Sequence, residues 1–357
     1  MMKKIFFCSG GTGGHVFPTI ALANFFSKRN YKTLVVTDKR GEQYINNDSL
    51  SYKIIDISSY SNSGIRSKVF FYFKLIQSFF KSIYLLRKEK PNMVFGLGGY
   101  VSFPMCLAAR LLNIKILLYE PNAVLGRTNK IFVRYCKKIF TNTKNVHSLN
   151  SKYLNKSIQV GNILREEIFK VKLQQKDYSS VEKKILILGG SQGAEIFGEL
   201  IPQVILDLNK KYKISIIQQS LHNQVEKIRN FYNDNKIKNY VFSFEKNIIE
   251  LMSEAHIAIS RCGSSTLGEL EVLGVPFLAI PYPFAKDNHQ YENANYYKKK
   301  GCCWILNQEN LNFNTLREIF AKILDNHVEL NLKRENMSKN DSKNVLTKIE
   351  TEIKQLI

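Results

Sequence analysis

The sequence predicts an α/β protein made of two Rossmann-like, doubly wound parallel-sheet domains with a cleft between them. A chain of 357 residues is too long for one ordinary hydrophobic core and suits two domains of roughly 150 to 180 residues. Short β-branched or aromatic runs alternate with helix-length segments throughout. Both halves also begin alike, with a strand followed by a glycine-rich loop: GGTGGH at Gly10–His15 and GGSQGAE at Gly189–Glu195.

Each half contains a series of strand-like runs. In the first half they are KIFFCS, KTLVVTD, YKIIDI, NMVFGLG, KILLYE and KKIFTN. In the second half they are KKILILGG, KISIIQ, YVFSF, IAIS, PFLAIP and CCWIL. Because the segments between these runs are long enough for helices, we expect two parallel sheets covered by helices on both faces.

The domain boundary is expected near the middle of the chain. Residues 1–163 form the predicted first domain and residues 164–340 the second, with the polar stretch KLQQKDYSSVEKK close to the junction. The charged segment after about Asn340 reads as a helix, 341–357, that packs back on the first domain.

Composition restricts the class of protein and its compartment. No apolar run approaches the ~20 residues of a membrane-spanning helix, and MMKKIFFCSGG reads as a buried first strand rather than a secretory signal. The six cysteines show neither a CxxC pair nor a metal-ligand spacing, as expected of reduced cytosolic thiols. A formal charge of +22 points to an anionic partner, which can be nucleic acid, an acidic membrane surface or a phosphorylated ligand.

The glycine loops are suited to phosphate. A loop without Cβ atoms at a helix N-terminus exposes unsatisfied N–H groups and the positive end of the helix dipole. Neither loop matches GxxxxGK[ST] or fits GxGxxG cleanly, and packing alone could also explain either loop. Asp38, at the end of the second strand, suggests a dinucleotide fold instead, but that reading leaves the second loop without a role.

A second polar cluster lies between Ser260 and Ala294, SRCGSSTLGELEVLGVPFLAIPYPFAKDNHQYENA. Its turn, Gly263 to Thr266, offers N–H and hydroxyl groups to a diphosphate. Glu269, one turn along the helix, can accept hydrogen bonds from ribose hydroxyls. Asp287, His289, Gln290 and Asn293 follow at another strand end, where polar side chains suit sugar hydroxyls. Together they favour a nucleotide-sugar site.

Seven ordered motifs carry a resemblance that covers nearly the whole chain. They are GGTGGHVFP, GLGGYVSFP, YEPNAVLGRTNK, GNILREEI, GGSQGA, RCGSSTLGE and DNHQYENA. The chain resembles the GT-B glycosyltransferases, most closely the bacterial enzymes that add N-acetylglucosamine to undecaprenyl-diphospho-muramoyl-pentapeptide, converting lipid I to lipid II. The resemblance implies a first domain that binds the acceptor and the membrane, and a second that binds UDP-N-acetylglucosamine.

The resemblance also implies which residues bind UDP-N-acetylglucosamine. From the first domain it implies Thr12, Gly13, Gly14 and Asn122. For the diphosphate it implies Arg165 and Ser191, for the nucleotide Ser264, Ser265, Thr266 and Glu269, and for the sugar Gln290. The uracil is expected near Phe244 and Glu245, mainly against backbone.

Several positions depart from the family pattern. Tyr119, Glu120, Pro121 and Asn122 stand where the family reads His-Glu-Gln-Asn. Phe103 replaces a glycine of GGYVSGP, Ile163 replaces a proline before Arg165, Gly198 replaces an asparagine, and Glu245 replaces an apolar residue. These departures concern acceptor recognition and loop stiffness more than the donor pocket.

The expected chemistry is inversion at the anomeric carbon, in which a base takes a proton from the attacking hydroxyl. An imidazole at a helix N-terminus is a suitable neutral base, so His15 is assigned this role toward the muramoyl 4-hydroxyl. Glu120 is the alternative base, and His15 can instead cap the helix or bind a phosphate. Since the chain has no Asp-x-Asp motif, we expect neither a metal nor a cofactor, with Arg165 and loop amides stabilising the leaving group.

Ile65 to Lys90, IRSKVFFYFKLIQSFFKSIYLLRKEK, carries seven Lys or Arg and a single acid. Its aromatics fall at helical spacing beside cations, as in a helix that lies on anionic lipid. We assign this contact to Phe70, Phe73, Lys74, Phe80 and Lys81. A core role for the same helix stays open. Peripheral attachment to the cytoplasmic face of the bacterial inner membrane follows.

Two other function classes remain as alternatives. A nucleotide-sugar epimerase on the same scaffold would need catalytic carboxylates and no lipid surface. A non-enzymatic basic module would explain the charge but not the paired loops, and the chain has no recognisable nucleic-acid motif. We therefore expect UDP-N-acetylglucosamine, the lipid-linked acceptor and an anionic membrane as partners, and no nucleic acid.

Overall fold

The structure is a computed structural model that describes residues 2–11, 13–45, 50–57, 64–173, 175–190, 194–339 and 342–356. The chain forms two compact units, Met1–Arg165 with Asp341–Ile357, and Glu166–Asn340. The division falls two residues after the expected position, so Arg165 belongs to the first unit and not to the second.

The first unit is built on a parallel sheet in the order β3-β2-β1-β4-β5-β6-β7. Its strands are β1 (Lys4–Cys8), β2 (Lys32–Thr37), β3 (Tyr52–Ile54), β4 (Met93–Gly96), β5 (Lys115–Glu120), β6 (Lys138–Thr141) and β7 (Ser157–Gln159). Its helices are α1 (Gly13–Ser27), α2 (Lys39–Glu42), α3 (Gly64–Glu89), α4 (Gly99–Leu111), α5 (Arg127–Phe132) and, from the end of the chain, α13 (Val345–Lys354).

The central strand β1 shows why this sheet is covered on both faces. Its residues are almost all buried, and successive side chains point to opposite faces. Phe6 and Cys8 pack with α4 and the buried side of α3, whereas Ile5 and Phe7 pack with α1 and α13. An uninterrupted apolar run is therefore the expected sequence for this strand.

The second unit has a parallel sheet in the order β10-β9-β8-β11-β12-β13. Its strands are β8 (Glu182–Leu188), β9 (Lys213–Gln219), β10 (Lys238–Phe242), β11 (Ile257–Ser260), β12 (Phe277–Ala279) and β13 (Cys303–Ile305). Its helices are α6 (Glu195–Leu208), α7 (Val225–Asp234), α8 (Ile248–Glu254), α9 (Ser264–Val272), α10 (His289–Lys299), α11 (Phe313–Asp325) and α12 (His327–Ser338).

The predicted fold class is confirmed, because each strand-like run of the sequence overlaps one strand of a parallel sheet. The sequence did not predict β7, a three-residue edge strand. In both sheets the chain order reverses beside the first strand of the unit, since β1 lies between β2 and β4 and β8 between β9 and β11. The carboxyl ends of the strands that flank such a reversal are where this fold class binds ligands.

Helix α3 presents aromatic side chains away from the first unit. Phe70, Phe73 and Phe80 are each more than half exposed, whereas Ser78 and Leu86 are buried. By length and composition, Lys68–Glu89 could cross a membrane, so the expectation that no segment comes near that limit is wrong. Because one side of the helix packs on α4 and the core, this geometry favours a helix that lies on a surface.

Candidate active site

The first glycine loop joins β1 to α1 and is held by a buried carboxylate. The Gly11 N–H donates to Asp38 Oδ1 at 3.0 Å. Asp38 also accepts from the Gly41 N–H at 2.8 Å and from Arg40 Nη2 at 2.9 Å. The oxygens of Asp38 are therefore occupied by the chain itself, which speaks against the ribose-binding role of a dinucleotide site.

His15 lies in the first turn of α1, half-buried against the loop that precedes α4. A Cβ on Gly98 would lie 2.9 Å from His15 Cε1, and one on Gly99 would lie 2.5 Å from the Gly10 carbonyl oxygen. Both glycines have positive φ, +93° and +77°. Only glycine fits this packing, so the loop before α4 fixes where the imidazole can lie.

Glu120 ends β5 with its carboxylate buried under the loop that follows. Its Oε1 accepts from the Asn122 backbone N–H and from Asn122 Nδ2, both at 3.1 Å. Its Oε2 accepts from the Gly126 N–H at 2.7 Å and from Asn129 Nδ2 at 2.9 Å. Burial raises the pKa of Glu120, and these four hydrogen bonds oppose that rise.

Two departures from the family pattern form a pair. The Tyr119 hydroxyl accepts from the Ile163 N–H at 3.0 Å and donates to the Gly161 carbonyl oxygen at 3.2 Å. Proline at position 163 would have no N–H to donate. Ile163 and Tyr119 thus tie β5 to the segment before Arg165, whose guanidinium carbon lies 4.8 Å from the centre of the Phe17 ring.

At two further departures, Phe103 and Gly198, side chains fill the local space. Phe103 packs edge-on against Phe132, with 5.5 Å between the ring centres. A Cβ on Gly198 would lie 2.5 Å from Gln224 Oε1, so the space of the missing side chain is taken by Gln224. Pro121 is buried between Glu120 and Asn122.

In the second unit, α10 holds the loop that leads into α9. Gln290 Oε1 accepts from the Cys262 N–H at 3.1 Å and from the Tyr282 N–H at 3.0 Å. Asn293 Nδ2 donates to the Cys262 carbonyl oxygen at 3.0 Å. The peptide groups on both sides of Cys262 are thus fixed by amide side chains of one helix, and the carbonyl of Gln290 is already used.

The fixed loop places the polar turn of the predicted nucleotide site. Helix α9 begins at Ser264, directly after Gly263, so the hydroxyls of Ser264, Ser265 and Thr266 lie in its first turn. Glu269 is buried on the same helix. The turn and the carboxylate therefore belong to one rigid element, as the spacing in the sequence predicts.

The predicted uracil segment follows β10. Phe244 is 69% exposed, and Glu245 accepts from the Tyr240 hydroxyl at 2.6 Å and from the Asn247 N–H at 2.8 Å. These hydrogen bonds lower the pKa of Glu245. The Glu245 side chain thus stabilises its own turn.

Two predicted ligand contacts, Thr12 and Ser191, lie outside the described residues. Gly13 and Gly14 are the first two residues of α1 and come directly before His15, and Asn122 is half-buried beside Glu120. Within the part of the chain that the structure describes, no group of three or more His, Cys, Asp or Glu could hold a metal ion. The sequence missed Asn129 and Gly126 as partners of Glu120, although both stand in the motif YEPNAVLGRTNK.

Known proteins resemble this chain over its whole length. The glycosyltransferase family 28 N-terminal domain matches residues 5–141, and the C-terminal domain of that family matches residues 184–353. A UDP-N-acetylglucosamine–N-acetylmuramyl-(pentapeptide) pyrophosphoryl-undecaprenol N-acetylglucosamine transferase of Pelagibacter ubique is 38% identical, covering 100% of this chain and 99% of the relative.

Solved structures agree with this comparison. The crystal structure of Acinetobacter baumannii MurG has a TM-score of 0.79 at 25% identity, covering 99% of both chains. A putative UDP-N-acetylglucosamine 2-epimerase of Listeria monocytogenes has a TM-score of 0.74 at 12% identity, covering 99% of this chain and 96% of that one, which shows a shared fold alone. The chain therefore belongs to glycosyltransferase family 28, among the UDP-N-acetylglucosamine–N-acetylmuramyl-(pentapeptide) pyrophosphoryl-undecaprenol N-acetylglucosamine transferases.

Proposed function

We propose that this protein transfers N-acetylglucosamine from UDP-N-acetylglucosamine to the 4-hydroxyl of muramoyl-pentapeptide on undecaprenyl diphosphate, a step of peptidoglycan synthesis. Family membership supports the reaction class. Within the molecule, the proposal rests on the first turn of α9, Ser264 to Thr266, together with Glu269 on the same helix. Gln290 and Asn293 fix the loop that leads into this turn. A fixed turn of N–H and hydroxyl groups is suited to a nucleotide diphosphate.

We assign binding of the donor, UDP-N-acetylglucosamine, to the second unit. Ser264, Ser265 and Thr266 bind the nucleotide diphosphate at the start of α9, and Glu269 binds the ribose hydroxyls. Gln290 contacts the sugar. Because its carbonyl oxygen is already bonded to two backbone N–H groups, Gln290 offers its amide N–H groups to a sugar hydroxyl. Backbone beside Phe244 and Glu245 receives the uracil.

The first unit is assigned the proton transfer. His15 takes the proton of the muramoyl 4-hydroxyl as that oxygen forms a bond to the anomeric carbon, while the bond from this carbon to the diphosphate breaks and UDP leaves. Gly13, Gly14 and Asn122, together with Thr12, assist at the donor. Arg165 and Ser191 stabilise the charge on the departing diphosphate, since an arginine is always charged near neutral pH. The reaction is expected to proceed without a metal.

Helix α3 is assigned the membrane contact. Phe73, Phe80 and Lys81 line an open groove of about 520 Å³ along its exposed side. Lys74 Nζ lies 5.6 Å from the centre of the exposed Phe70 ring. Exposed aromatics flanked by cations bind the interface of anionic membranes. We infer peripheral attachment to the cytoplasmic face of the inner membrane.

Transfer is tested with labelled UDP-N-acetylglucosamine and a short-chain lipid I analogue. The expected product is the disaccharide-linked lipid with inverted anomeric configuration. His15→Gln should lower kcat by at least about 100-fold, whereas the matched control His222→Gln, at an exposed position of the second unit, should leave it unchanged. Hydrolysis or 2-epimerisation without transfer would support the epimerase alternative. Loss of activity with EDTA and recovery with magnesium would refute metal-independent transfer.

Membrane attachment is tested by vesicle sedimentation. Lys74→Glu combined with Lys81→Glu should weaken binding to vesicles that contain phosphatidylglycerol by about tenfold or more, because each basic residue contributes about 1 kcal/mol near an anionic surface. Lys227→Glu with Lys322→Glu changes the net charge equally at exposed positions of the second unit. If both pairs lose the same affinity, the attraction comes from total charge and not from α3.

A further inference from the structure

We propose that Glu120 is a positioning residue that holds the amide of Asn122 in one orientation, and is not the base. The inference rests on the proposed function, in which Asn122 contacts the sugar nucleotide. It separates two roles that the sequence leaves open for Glu120.

The hydrogen bonds around Glu120 occupy both oxygens of its carboxylate. Two donors from Asn122 meet Oε1, and donors from Gly126 and Asn129 meet Oε2. All four are N–H groups of residues two to nine positions further along the chain. A base has to direct an oxygen at the hydroxyl of the acceptor. Glu120 is only 2% exposed and would first have to lose one of these hydrogen bonds.

The contact with Asn122 has a directional consequence. Because Asn122 Nδ2 donates to Glu120 Oε1 at 3.1 Å, the amide is fixed with its Nδ2 toward the carboxylate and its Oδ1 on the other side. An amide rotated by 180° would bring two oxygens together. Glu120 thereby stabilises the orientation in which Asn122 presents Oδ1 away from the carboxylate, and the second hydrogen bond, from the Asn122 backbone N–H, holds the residue itself.

The other side of the carboxylate keeps Glu120 itself in place. The Gly126 N–H bond, at 2.7 Å, is the shortest of the four, and a Cβ on Gly126 would lie 3.2 Å from Oε2. Asn129 Nδ2 also donates to the Tyr119 carbonyl oxygen at 2.9 Å. These contacts at Oε2 fix the whole carboxylate, and with it the Oε1 atom that faces Asn122. They are made by the chain itself, so substrate binding does not have to break them.

A double-mutant cycle tests the proposal. Glu120→Gln leaves a single acceptor oxygen for four donors, so Asn122 should lose its fixed orientation. We expect Glu120→Gln and Asn122→Ala each to weaken UDP-N-acetylglucosamine binding, measured by calorimetry without acceptor, by about 10-fold. The double variant should bind no more than about 3-fold more weakly than Asn122→Ala alone. A base that acts only on the acceptor would leave donor affinity unchanged, and that result would overturn the proposal.

The pH profile of kcat/KM gives an independent readout. The acidic limb of this profile is the fall in kcat/KM at low pH, where the base becomes protonated. If Glu120 positions Asn122, Glu120→Gln lowers kcat/KM but keeps the acidic limb. If Glu120 is the base, that limb disappears and the losses in the two single variants multiply, which also overturns the proposal. Absence of transfer by the unmodified protein would refute the proposed function alone, since donor affinity is measured separately.

A second variant covers the case in which Glu120→Gln fails to fold by circular dichroism. Asn129→Ala removes one donor from Glu120 Oε2 and leaves both contacts with Asn122. We expect Asn129→Ala to lose less affinity for UDP-N-acetylglucosamine than Glu120→Gln does. This loss should be absent in the Asn122→Ala background, and the acidic limb of kcat/KM should stay at the same pH. A shift of that limb to higher pH would show that the titration of Glu120 controls the rate, contrary to the proposal.

Discussion

Gln290 is expected to have two separable roles, one structural and one in sugar binding. Its Oε1 satisfies the N–H groups of Cys262 and Tyr282, while its amide N–H groups are assigned to the sugar. Gln290→Ala removes both roles. Gln290→Glu keeps oxygens for the two backbone donors and removes the amide donor. The two variants should therefore differ in stability and agree in loss of sugar affinity.

The magnitudes follow from the burial of the two donors. Cys262 is fully buried, whereas Tyr282 is 42% exposed, so water can replace the lost acceptor only at Tyr282. Gln290→Ala should lower the free energy of unfolding of the second unit by about 1–3 kcal/mol, the cost of one unsatisfied buried N–H. At about 2–4 °C per kcal/mol this shift is measurable by calorimetry. Gln290→Glu should change the free energy of unfolding by less than about 0.5 kcal/mol.

Calorimetric titration with UDP and with UDP-N-acetylglucosamine isolates the sugar contact. Gln290→Glu should weaken binding of UDP-N-acetylglucosamine by about 10-fold or more, as expected when one hydrogen bond to a sugar hydroxyl is lost, and leave UDP nearly unaffected. Gln203→Glu, at an exposed position of α6, is the charge control. If UDP weakens as much as the sugar nucleotide, repulsion of the diphosphate explains the loss and the assigned sugar contact is refuted.

Three other substitutions test the framework of the site. Tyr119→Phe strands the buried N–H of Ile163 and should cost about 1–3 kcal/mol of unfolding free energy in urea titration; an unchanged midpoint would contradict this. Gly98→Ala forces a side chain into φ +93° and against the imidazole, so kcat should fall and the free energy of unfolding should drop by about 1–3 kcal/mol. Burial, then neighbouring lysines, lowers the pKa of His256 to about 4, and its Nδ1 accepts from the Lys184 N–H. The free energy of unfolding should therefore fall by about 2 kcal/mol as the pH is lowered from about 6.5 to 4. In His256→Gln this pH-dependent fall should be smaller.

The sheets could be predicted from the sequence because their central strands are buried on both faces. A run such as Ile185–Leu188 has no polar position to confuse with a loop, and the helix-length spacers fix the parallel direction. The sequence did not predict β7 because Ser157–Gln159 is only three residues long and is half-buried to exposed. Periodicity carries no signal over such a length, and edge pairing depends on where the preceding loop returns.

The polar groups of the site were found by the sequence, but their partners were not. The sequence marks Asp38 as a carboxylate at a strand end and Glu120 as the last residue of the run KILLYE. Ribose binding was the candidate role of Asp38, and proton transfer that of Glu120. In the structure both accept hydrogen bonds from the loop beside them. A residue type at a strand end shows that an acceptor is present. It does not show whether the loop folds back to use that acceptor, because this depends on the loop dihedral angles.

Asp38, Glu120 and Gln290 share one physical arrangement. Each lies beside a polar loop at the carboxyl end of a parallel strand, and each turns acceptor oxygens toward backbone N–H groups of that loop. Such loops keep their shape without a ligand, so binding does not have to supply the entropy of ordering them. The arrangement also uses N–H groups that a phosphate could otherwise bind, at Gly11 and Cys262 for instance. Neighbouring amides and hydroxyls are then left for substrate, held in fixed directions, as an electrostatically preorganised site requires.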